Sequence, residues 1–206
     1  MRESRREETA EYFNSIAAKW DSWEDLISLQ ALFDAGLERF GLRPDEHLLD
    51  VGCGTGNLTA AILRHLSHAG RITAVDISER MIEIARVKVP DQRVRWICGP
   101  IEQMDAFDGV FDRAICYSVW PHLTNHAMAA NLIRSMLKPG GSLHVWHLKS
   151  RETINKIHAA ASGAVSNHML APASRTAALL GQAGFIVEET MDDDSGYLVS
   201  ARKARG

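Results

Sequence analysis

The sequence has only three cysteines among its 206 residues, and Cys53, Cys98 and Cys116 are widely spaced. Their odd number and the lack of a Cys-x-x-Cys pair argue against a disulfide framework and against a thiol metal site. Isolated cysteines of this kind are most often small buried apolar residues. The cysteine content therefore predicts a protein of the reducing cytoplasm.

Long apolar runs and an excess of positive charge are also missing. No apolar run approaches the roughly 18 residues that a membrane-spanning helix needs. The first residues, MRESRREET, are charged and have no apolar core of the kind found in secretory signals. The net charge of −3 predicts no broad basic surface for nucleic acid or for an anionic membrane, although a local basic patch would not show in it. We therefore expect neither as a partner. The oligomeric state is left open.

The hydrophobic pattern alternates between helical and extended periods along the chain. This alternation predicts an α/β fold: a doubly wound, mostly parallel sheet. The last two strands are joined too tightly for a helical crossover, so the final strand is predicted to pair antiparallel. The predicted strands cover residues 47–51, 72–76, 94–98, 111–118, 142–146, 185–189 and 197–201, with helical patterns over 7–40, 58–66, 125–136 and 174–183 and an acidic turn, MDDDSG, between the last two strands.

The stretch LLDVGCGTGNLT places three glycines directly after the first strand, where a doubly wound sheet binds its ligand. A dinucleotide fingerprint would need a glycine at position 57, which is Asn57, and a phosphate-binding Walker loop would need a lysine that is absent. Asp50 precedes the turn, and its carboxylate would repel a diphosphate but attract an ammonium group. The turn therefore suits a ligand that carries both a cationic amine and a carboxylate.

Residues at the ends of the next two strands indicate what other chemical groups this ligand carries. Asp76 ends the second strand, where a carboxylate can accept hydrogen bonds from a ribose diol. Ile77 and Met81 offer apolar cover for a flat base, and residues 99–102 offer backbone groups for an adenine amine. Amine, carboxylate, ribose and adenine together describe S-adenosylmethionine.

Four segments resemble the successive motifs of class I (Rossmann-like) S-adenosylmethionine-dependent methyltransferases of the small-molecule type: DVGCGTG, ITAVDIS, FDRAICYSVWPHL and MLKPGGSLHV. The resemblance covers residues 12–203. It implies S-adenosyl-L-methionine as cofactor and an amino-terminal helical cap, YFNSIAAKWDSW. The implied cofactor-binding residues are Asp50, Gly52, Cys53, Gly54 and Gly56 around the methionine part, Cys116 and Ser118 at its end, Asp76 at the ribose, Ile77, Met81 and Ile101 at the adenine, and Tyr12 and Trp20 over the sulfonium, although these last two could equally be core.

We therefore expect a single methyltransferase domain over residues 1–206. Its predicted sections are a helical cap (1–42), a cofactor-binding core (43–147), an inserted substrate cap (148–173) and a closing helix and strand pair (174–206). The segment CYSVWPHL lacks the Asn/Asp-Pro-Pro-Tyr/Phe pattern of enzymes that methylate amino groups of DNA bases or glutamine, so a small-molecule acceptor is favoured. A non-catalytic module that binds or senses S-adenosylmethionine stays open as the alternative.

Histidines are the candidates for acid–base chemistry, because an unperturbed imidazole has a pKa of about 6.5. His122 follows the fourth strand and His147 ends the fifth, so either could be a general base. His47 and His144 lie within strands, away from the expected site, and are predicted to be structural.

The segment after the fifth strand is the predicted acceptor cap. Ser150 can cap a helix over 151–160, on which Arg151, Asn155 and His158 share one polar face. This face either is solvated or faces inward, with Arg151 binding an anionic group of the substrate. His147, His158 and His168 could in principle hold a zinc-like metal, but their spacing matches no known metal motif, so no metal is predicted.

Overall fold

A computed structural model describes residues 2–104, 108–161 and 163–205. Residues 105–107 of the predicted core section, Ser162 of the predicted substrate cap, and residues 1 and 206 lie outside it. Within the described chain, seven strands form one sheet in the order β3-β2-β1-β4-β5-β7-β6. The strands are β1 His47–Val51, β2 Arg71–Asp76, β3 Val94–Cys98, β4 Phe111–Tyr117, β5 Leu137–His147, β6 Phe185–Asp193 and β7 Gly196–Lys203.

The pairing of these strands confirms the predicted fold class. β1 pairs parallel with β2 and with β4, β2 pairs parallel with β3, and β4 pairs parallel with β5. β7 lies between β5 and β6 and is antiparallel to both. The carboxyl ends of β1, β2, β4 and β5 therefore meet at one edge of the sheet.

Helices connect these strands, and short side-chain caps begin several of them. Ser78 accepts a hydrogen bond from the Met81 amide, as predicted, and Ser150 accepts one from the Thr153 amide. Such caps replace the hydrogen bonds that the first turn of a helix leaves unmade. The α-helices are α1 Arg2–Ile16, α2 Leu26–Arg39, α3 Asn57–His65, α4 Glu79–Lys88, α5 His126–Met136, α6 Arg151–Ala160 and α7 Ala173–Gln182, with 3₁₀ helices at Ala17–Trp23, Ile101–Gln103, Trp120–His122 and Gly163–Val165.

The core consists of two buried apolar clusters on opposite faces of the sheet. Successive strand residues contribute to different clusters: Leu49 belongs to the first and Leu48 to the second, and the same alternation separates Val145 from Trp146. This follows from the two-residue period of a strand. Both faces are thus covered, as a parallel sheet requires.

Three differences from the predicted elements go beyond a shift of one or two residues. The helical pattern over 7–40 is divided into α1, the 3₁₀ helix Ala17–Trp23 and α2. β5 begins at Leu137, so the LKPGG segment lies inside the strand instead of preceding it. The first half of the acidic stretch predicted as a turn continues β6 to Asp193, since tertiary pairing with β7 outweighs the weak strand preference of aspartate.

Candidate functional site

A cavity of about 540 Å³ lies at the carboxyl ends of the strands. Its size is within the range of small-molecule and cofactor sites. The glycine turn, the ends of β2, β4 and β5, the α1–Ala17–Trp23 segment and α6 all contribute to its wall. The predicted site residues that line it are Tyr12, Trp20, Asp50, Gly52, Cys53, Gly54, Asp76, Ile77, Met81, Ile101, Ser118, His122, His147 and His158.

The glycine turn is held by its own amides. The Gly52 and Cys53 N–H groups donate to the Val75 carbonyl at 2.8 and 3.1 Å, and the Gly54 N–H donates to Oδ2 of Asp76 at 2.8 Å. These amides bind groups of β2 and so stabilise the turn against that strand. Gly52 has φ +69°, and a Cβ there would lie 2.2 Å from Cγ2 of Val119. Only glycine fits at this position.

Asp50 is buried at the end of β1 and accepts a hydrogen bond from the Thr59 hydroxyl at 2.6 Å. Burial raises its pKa to about 7, and the nearby charge of Asp76 adds to the rise, while the Thr59 hydrogen bond opposes it. A cationic group placed beside Asp50 in the cavity would therefore favour the ionised form of this carboxyl and be attracted by its negative charge. Thr59 was missed in the sequence, where only its position in the first turn of α3 could have pointed to it.

Asp76 uses both carboxylate oxygens to organise the site. Oδ2 accepts from Gly54, and Oδ1 accepts from the Ser78 N–H at 2.8 Å. Burial raises the pKa of Asp76, and these two backbone hydrogen bonds oppose the rise. An ionised carboxylate has about four acceptor positions, so each oxygen keeps one for a diol.

The wall beyond Asp76 is mostly apolar, with Ile77, Met81 and Ile101 together. Glu102 lies beside them, but its Oε1 accepts from the amides of Thr124 and Asn125 at 3.0 and 3.2 Å. Its carboxylate therefore holds the start of α5. This surface suits a flat ring with its edge toward the backbone of residues 99–102.

The amino-terminal cap is tied to the glycine turn by polar groups that the sequence pattern did not reveal. Asp21 accepts hydrogen bonds from the Thr55 hydroxyl at 2.6 Å and from the Asn57 amide at 2.9 Å. Lys88 pairs with Asp21 and also donates to Thr55 and Asn57 at 3.0 and 2.8 Å. We call these four residues the Asp21 clasp. Tyr12 and Trp20 lie on the segment that it holds.

Two residues of the predicted cofactor set do not line the cavity. Cys116 is fully buried in the core, where burial raises the pKa of its thiol. It lies on the face of β4 that belongs to the first apolar cluster. Gly56, with φ +84°, is the N-cap of α3 and packs against Ala85 and Trp96. The prediction that Cys116 and Gly56 contact the cofactor directly is therefore wrong.

Ser118 lines the cavity with φ +52°, the only positive φ of a non-glycine residue in the described chain. Its amide donates to the Trp146 carbonyl at 2.9 Å, which holds this conformation. Strained backbone of this kind is concentrated at functional sites. The neighbouring Tyr117 also lines the cavity, and burial raises its pKa to about 12 against the effect of a hydrogen bond with Ser118.

Three histidines line the cavity and a fourth lies behind them. The ring centroids of His122 and His158 are 4.8 Å apart, and Nδ1 of His122 is 3.0 Å from Nδ1 of His168. His147 is buried, and neither of its ring nitrogens has a hydrogen-bond partner among the described residues. We call these four residues the histidine cluster. His47 and His144 lie elsewhere and are bonded to Thr73 and to Arg113 and Ser200, as structural residues would be.

Burial keeps the cluster uncharged. It lowers the pKa of His147 to about 3 and that of His168 to about 4. It also lowers the pKa of His122 well below its usual value, and the neighbouring imidazoles add to this effect. A strong general base at His122 or His147 does not fit these surroundings.

The polar face of α6 was expected to be either solvated or inward-facing, and the inward alternative does not hold for Arg151 and Asn155. The Arg151 guanidinium is paired with Asp192 at 2.9 Å, and the Asn155 amide exchanges two hydrogen bonds with the backbone of Leu170 at 2.7 and 3.1 Å. Only His158 reaches the cavity. Both partners lie far along the chain, so sequence periodicity could not identify them.

The alternative metal site of His147, His158 and His168 is also wrong. Across residues 2–104, 108–161 and 163–205, no group of three or more His, Cys, Asp or Glu side chains is arranged to hold a metal ion. Nδ1 of His158 is bonded to the carbonyl of His168, and the ring of His168 turns toward His122.

No helix of the described residues has the length and hydropathy needed to cross a membrane. Strand order, the acid before the glycine turn and the second acid at the end of β2 together define a Rossmann-like protein with its ligand site at the carboxyl ends of the strands.

Comparisons with known proteins identify the branch of this class. Residues 48–141 match the family model described as "Methyltransferase domain". The ubiquinone/menaquinone biosynthesis C-methyltransferase UbiE of Vibrio parahaemolyticus is 30% identical over 176 residues, which cover 78% of this chain and 66% of that protein. The chain belongs to the class I S-adenosylmethionine-dependent methyltransferases. It spans 55 to 66% of the length of the first curated relatives.

Solved structures agree on the fold. A SAM dependent methyltransferase from Aquifex aeolicus has a TM-score of 0.74 and 19% identity, over 90% of this chain and 97% of the other. The (4+2) cyclase SpnF has a TM-score of 0.70 and 23% identity, over 86% of this chain and 81% of the other. At these identities the likeness concerns the fold alone.

Proposed function

We propose that this protein transfers a methyl group from S-adenosylmethionine to a small molecule. One observation carries the proposal: a single cavity is lined in one region by the Asp50–Asp76 cradle and in a second region by three members of the histidine cluster. A module that only senses the cofactor would not need that second region. The UbiE relative is by its name a C-methyltransferase of quinone biosynthesis, which supports a small-molecule acceptor.

The chain's own residues fit each part of the cofactor, which supplies a methyl group on a sulfonium. Asp50 would hold the amine and Asp76 the ribose. Tyr12 and Trp20 would cover the sulfonium, where their rings can attract a positive charge. The residues around the base would be Ile77, Met81 and Ile101. What the protein contributes to catalysis is mainly positioning and the exclusion of water.

Isothermal titration calorimetry tests the cofactor. S-adenosylmethionine and S-adenosylhomocysteine should bind, whereas NAD and ATP should not. Asp76→Asn keeps the side-chain size but loses the charged acceptor, and should weaken binding by roughly 1.5–3 kcal/mol. Glu79→Gln makes the same chemical change at an exposed position three residues away and should leave binding intact. Tight binding of NAD with no binding of S-adenosylmethionine would refute the proposal.

The fold alone does not separate this function from the alternative, a non-catalytic module that binds or senses S-adenosylmethionine, because SpnF, by its title a cyclase, has the same fold. Transfer of a radiolabelled methyl group from S-adenosylmethionine to small molecules of a cell extract separates the two. Cofactor binding without any labelled product would favour the module.

A further inference from the structure

Four different elements bring the histidine cluster together. His122 comes from the 3₁₀ helix Trp120–His122, His147 from the end of β5, His158 from α6, and His168 follows the 3₁₀ helix Gly163–Val165. Such a cluster can take up only one proton easily, because each imidazolium would repel the next in a buried site.

His158 differs from the other three because its tautomer is fixed. Its Nδ1 is bonded to the backbone carbonyl of His168. A carbonyl can only accept, so Nδ1 carries the hydrogen and Nε2 of the neutral ring keeps a lone pair. Among the described residues, the bond to His168 is the one hydrogen bond of the His158 ring, so Nε2 has no protein partner. A histidine held through Nδ1 in this way is oriented to accept a proton at Nε2.

The rings of the other three histidines are poorer proton acceptors. One of the Nδ1 atoms of His122 and His168 must donate to the other, so those two rings bind each other. His147 is more deeply buried than His158, and its pKa is lowered to about 3. The pKa of His158 is also lowered by burial, but its hydrogen bond to the His168 carbonyl raises it in part. Arg5 and His126 face His168 and disfavour a proton there.

The charged groups of the cavity wall are already paired with protein groups. Asp50, Asp76 and Glu102 each accept hydrogen bonds from the protein, and Glu24 pairs with Lys149 at 2.7 Å. These four carboxylates and Lys149 are the Asp, Glu, Lys and Arg side chains on the wall formed by the described residues.

Next to the histidine cluster the wall is apolar. Phe13 packs edge-on against His122 at 5.0 Å between centroids, and Ile154 and Ile157 flank His158 along α6. A free charge on an acceptor would find no partner there, and burying it unpaired would be unfavourable.

We propose that His158 accepts the proton released by the methyl acceptor, and that this acceptor is an uncharged molecule whose hydroxyl group is attached to an apolar body. The proposal rests on the methyltransferase function proposed above. The acceptor's O–H bond breaks and its oxygen forms the new bond to the methyl carbon. The S–CH₃ bond breaks with its electron pair remaining on sulfur. The proton moves to Nε2 of His158 and is then lost to water.

Nitrogen-15 NMR of the histidine rings tests the role of His158 without turnover. In the protein saturated with S-adenosylhomocysteine at pH 7.5, the His158 ring should be neutral, with Nδ1 protonated and Nε2 bare. The two ring signals that disappear in His158→Gln are assigned to His158. His68→Gln, a control at an exposed histidine, should remove a different pair of ring signals. An Nε2–H tautomer, or an imidazolium at this pH, would overturn the assignment.

Turnover on naphthols tests the acceptor class at pH 8. The protein should methylate 1-naphthol with a kcat/KM about tenfold or more above that for 1-hydroxy-2-naphthoate, whose carboxylate adds an unpaired charge. His158→Gln should lower kcat on 1-naphthol by about 10²–10⁴-fold. On 4-nitro-1-naphthol, which has already lost its proton at this pH, the loss should be less than about tenfold. His68→Gln should change neither rate.

Each other result overturns the inference. Undiminished turnover in His158→Gln, or an equal loss on both naphthols, would leave His158 a structural residue. No methylation of any naphthol would refute the acceptor class. If the protein still binds S-adenosylmethionine in that case, only this inference fails. If it does not bind S-adenosylmethionine, the proposed function fails as well.

Discussion

Asp50 shows how one residue can prepare a site for a charged ligand. A carboxyl with a pKa near 7 is unusual, and the main cause here is burial at the end of β1. At pH 6.5 such a group is about three-quarters protonated. An ammonium group placed beside it would favour the ionised form, so binding of the ligand and loss of this proton are linked.

We therefore predict that binding of S-adenosylhomocysteine at pH 6.5 releases up to about 0.7 proton. Calorimetry in buffers with different heats of ionisation measures this number. The same linkage should make binding tighter as the pH rises from 5.5 to 7. In Asp50→Asn, which cannot ionise, proton release should disappear. Equal release from the variant and the unchanged protein would assign the proton to another group.

At the scale of elements, the Asp21 clasp joins the amino-terminal cap to α3 and α4. Burial tends to raise the pKa of Asp21, but hydrogen bonds from Lys88, Thr55 and Asn57 outweigh it and lower the pKa. The carboxylate is thus charged and held at neutral pH. Because the cap contributes Tyr12 and Trp20 to the cavity wall, the clasp should control how often the cavity opens.

Lys88→Met removes the cation of the clasp and keeps most of the side-chain length. We predict that it lowers the free energy needed to open the cap by about 1–2 kcal/mol. Amide hydrogen exchange over residues 12–23 should therefore be about five- to thirty-fold faster. Lys19→Met, on an exposed side chain of the same segment, is the control and should leave exchange unchanged. S-adenosylmethionine should slow exchange there in all three proteins. Exchange in Lys88→Met that matches the control would show that the cap is held by its apolar contacts alone.

Across the whole molecule, a second polar network lies away from the cavity. Glu46 and Arg113 form a buried ion pair with contacts of 2.9 and 3.0 Å. Arg113 also donates to Nε2 of His144 at 2.8 Å, so His144 is neutral and its Nδ1 donates to Ser200. Burial, with the charge of Arg113, lowers the pKa of His144 to about 3.

This network predicts a pH dependence of stability. Between pH 6.5 and about 3 the unfolded chain protonates His144 but the folded chain does not, so the free energy of unfolding falls as the pH falls. His144→Gln, which can make similar hydrogen bonds but cannot be protonated, should remove up to about 1.4 kcal/mol per pH unit from this slope. Urea unfolding between pH 4 and 7 measures it, with His68→Gln as the control. Parallel slopes for the unchanged protein and His144→Gln would mean that His144 is protonated in the folded state.

Local chemistry explains which parts of this description were predictable. The strands, the caps at Ser78 and Ser150 and the acids Asp50 and Asp76 follow from hydrophobic period, turn residues and strand order, all of which lie within short segments. The partners of Arg151 and Asn155 could not be predicted, because Asp192 and Leu170 bind them from distant segments. Cys116 was misplaced because the pleat of β4 turns its side chain into the core.

The sequence by itself determined the doubly wound sheet and the glycine turn, since alternating apolar residues and the freedom of glycine at positive φ act over a few residues. Only the tertiary structure decided the electrostatics of the site. Burial raises the pKa of Asp50, the Asp21 clasp joins three elements, and the histidine cluster gathers rings from four. These properties depend on distances between remote segments and on the exclusion of water, and neither is encoded in a local pattern.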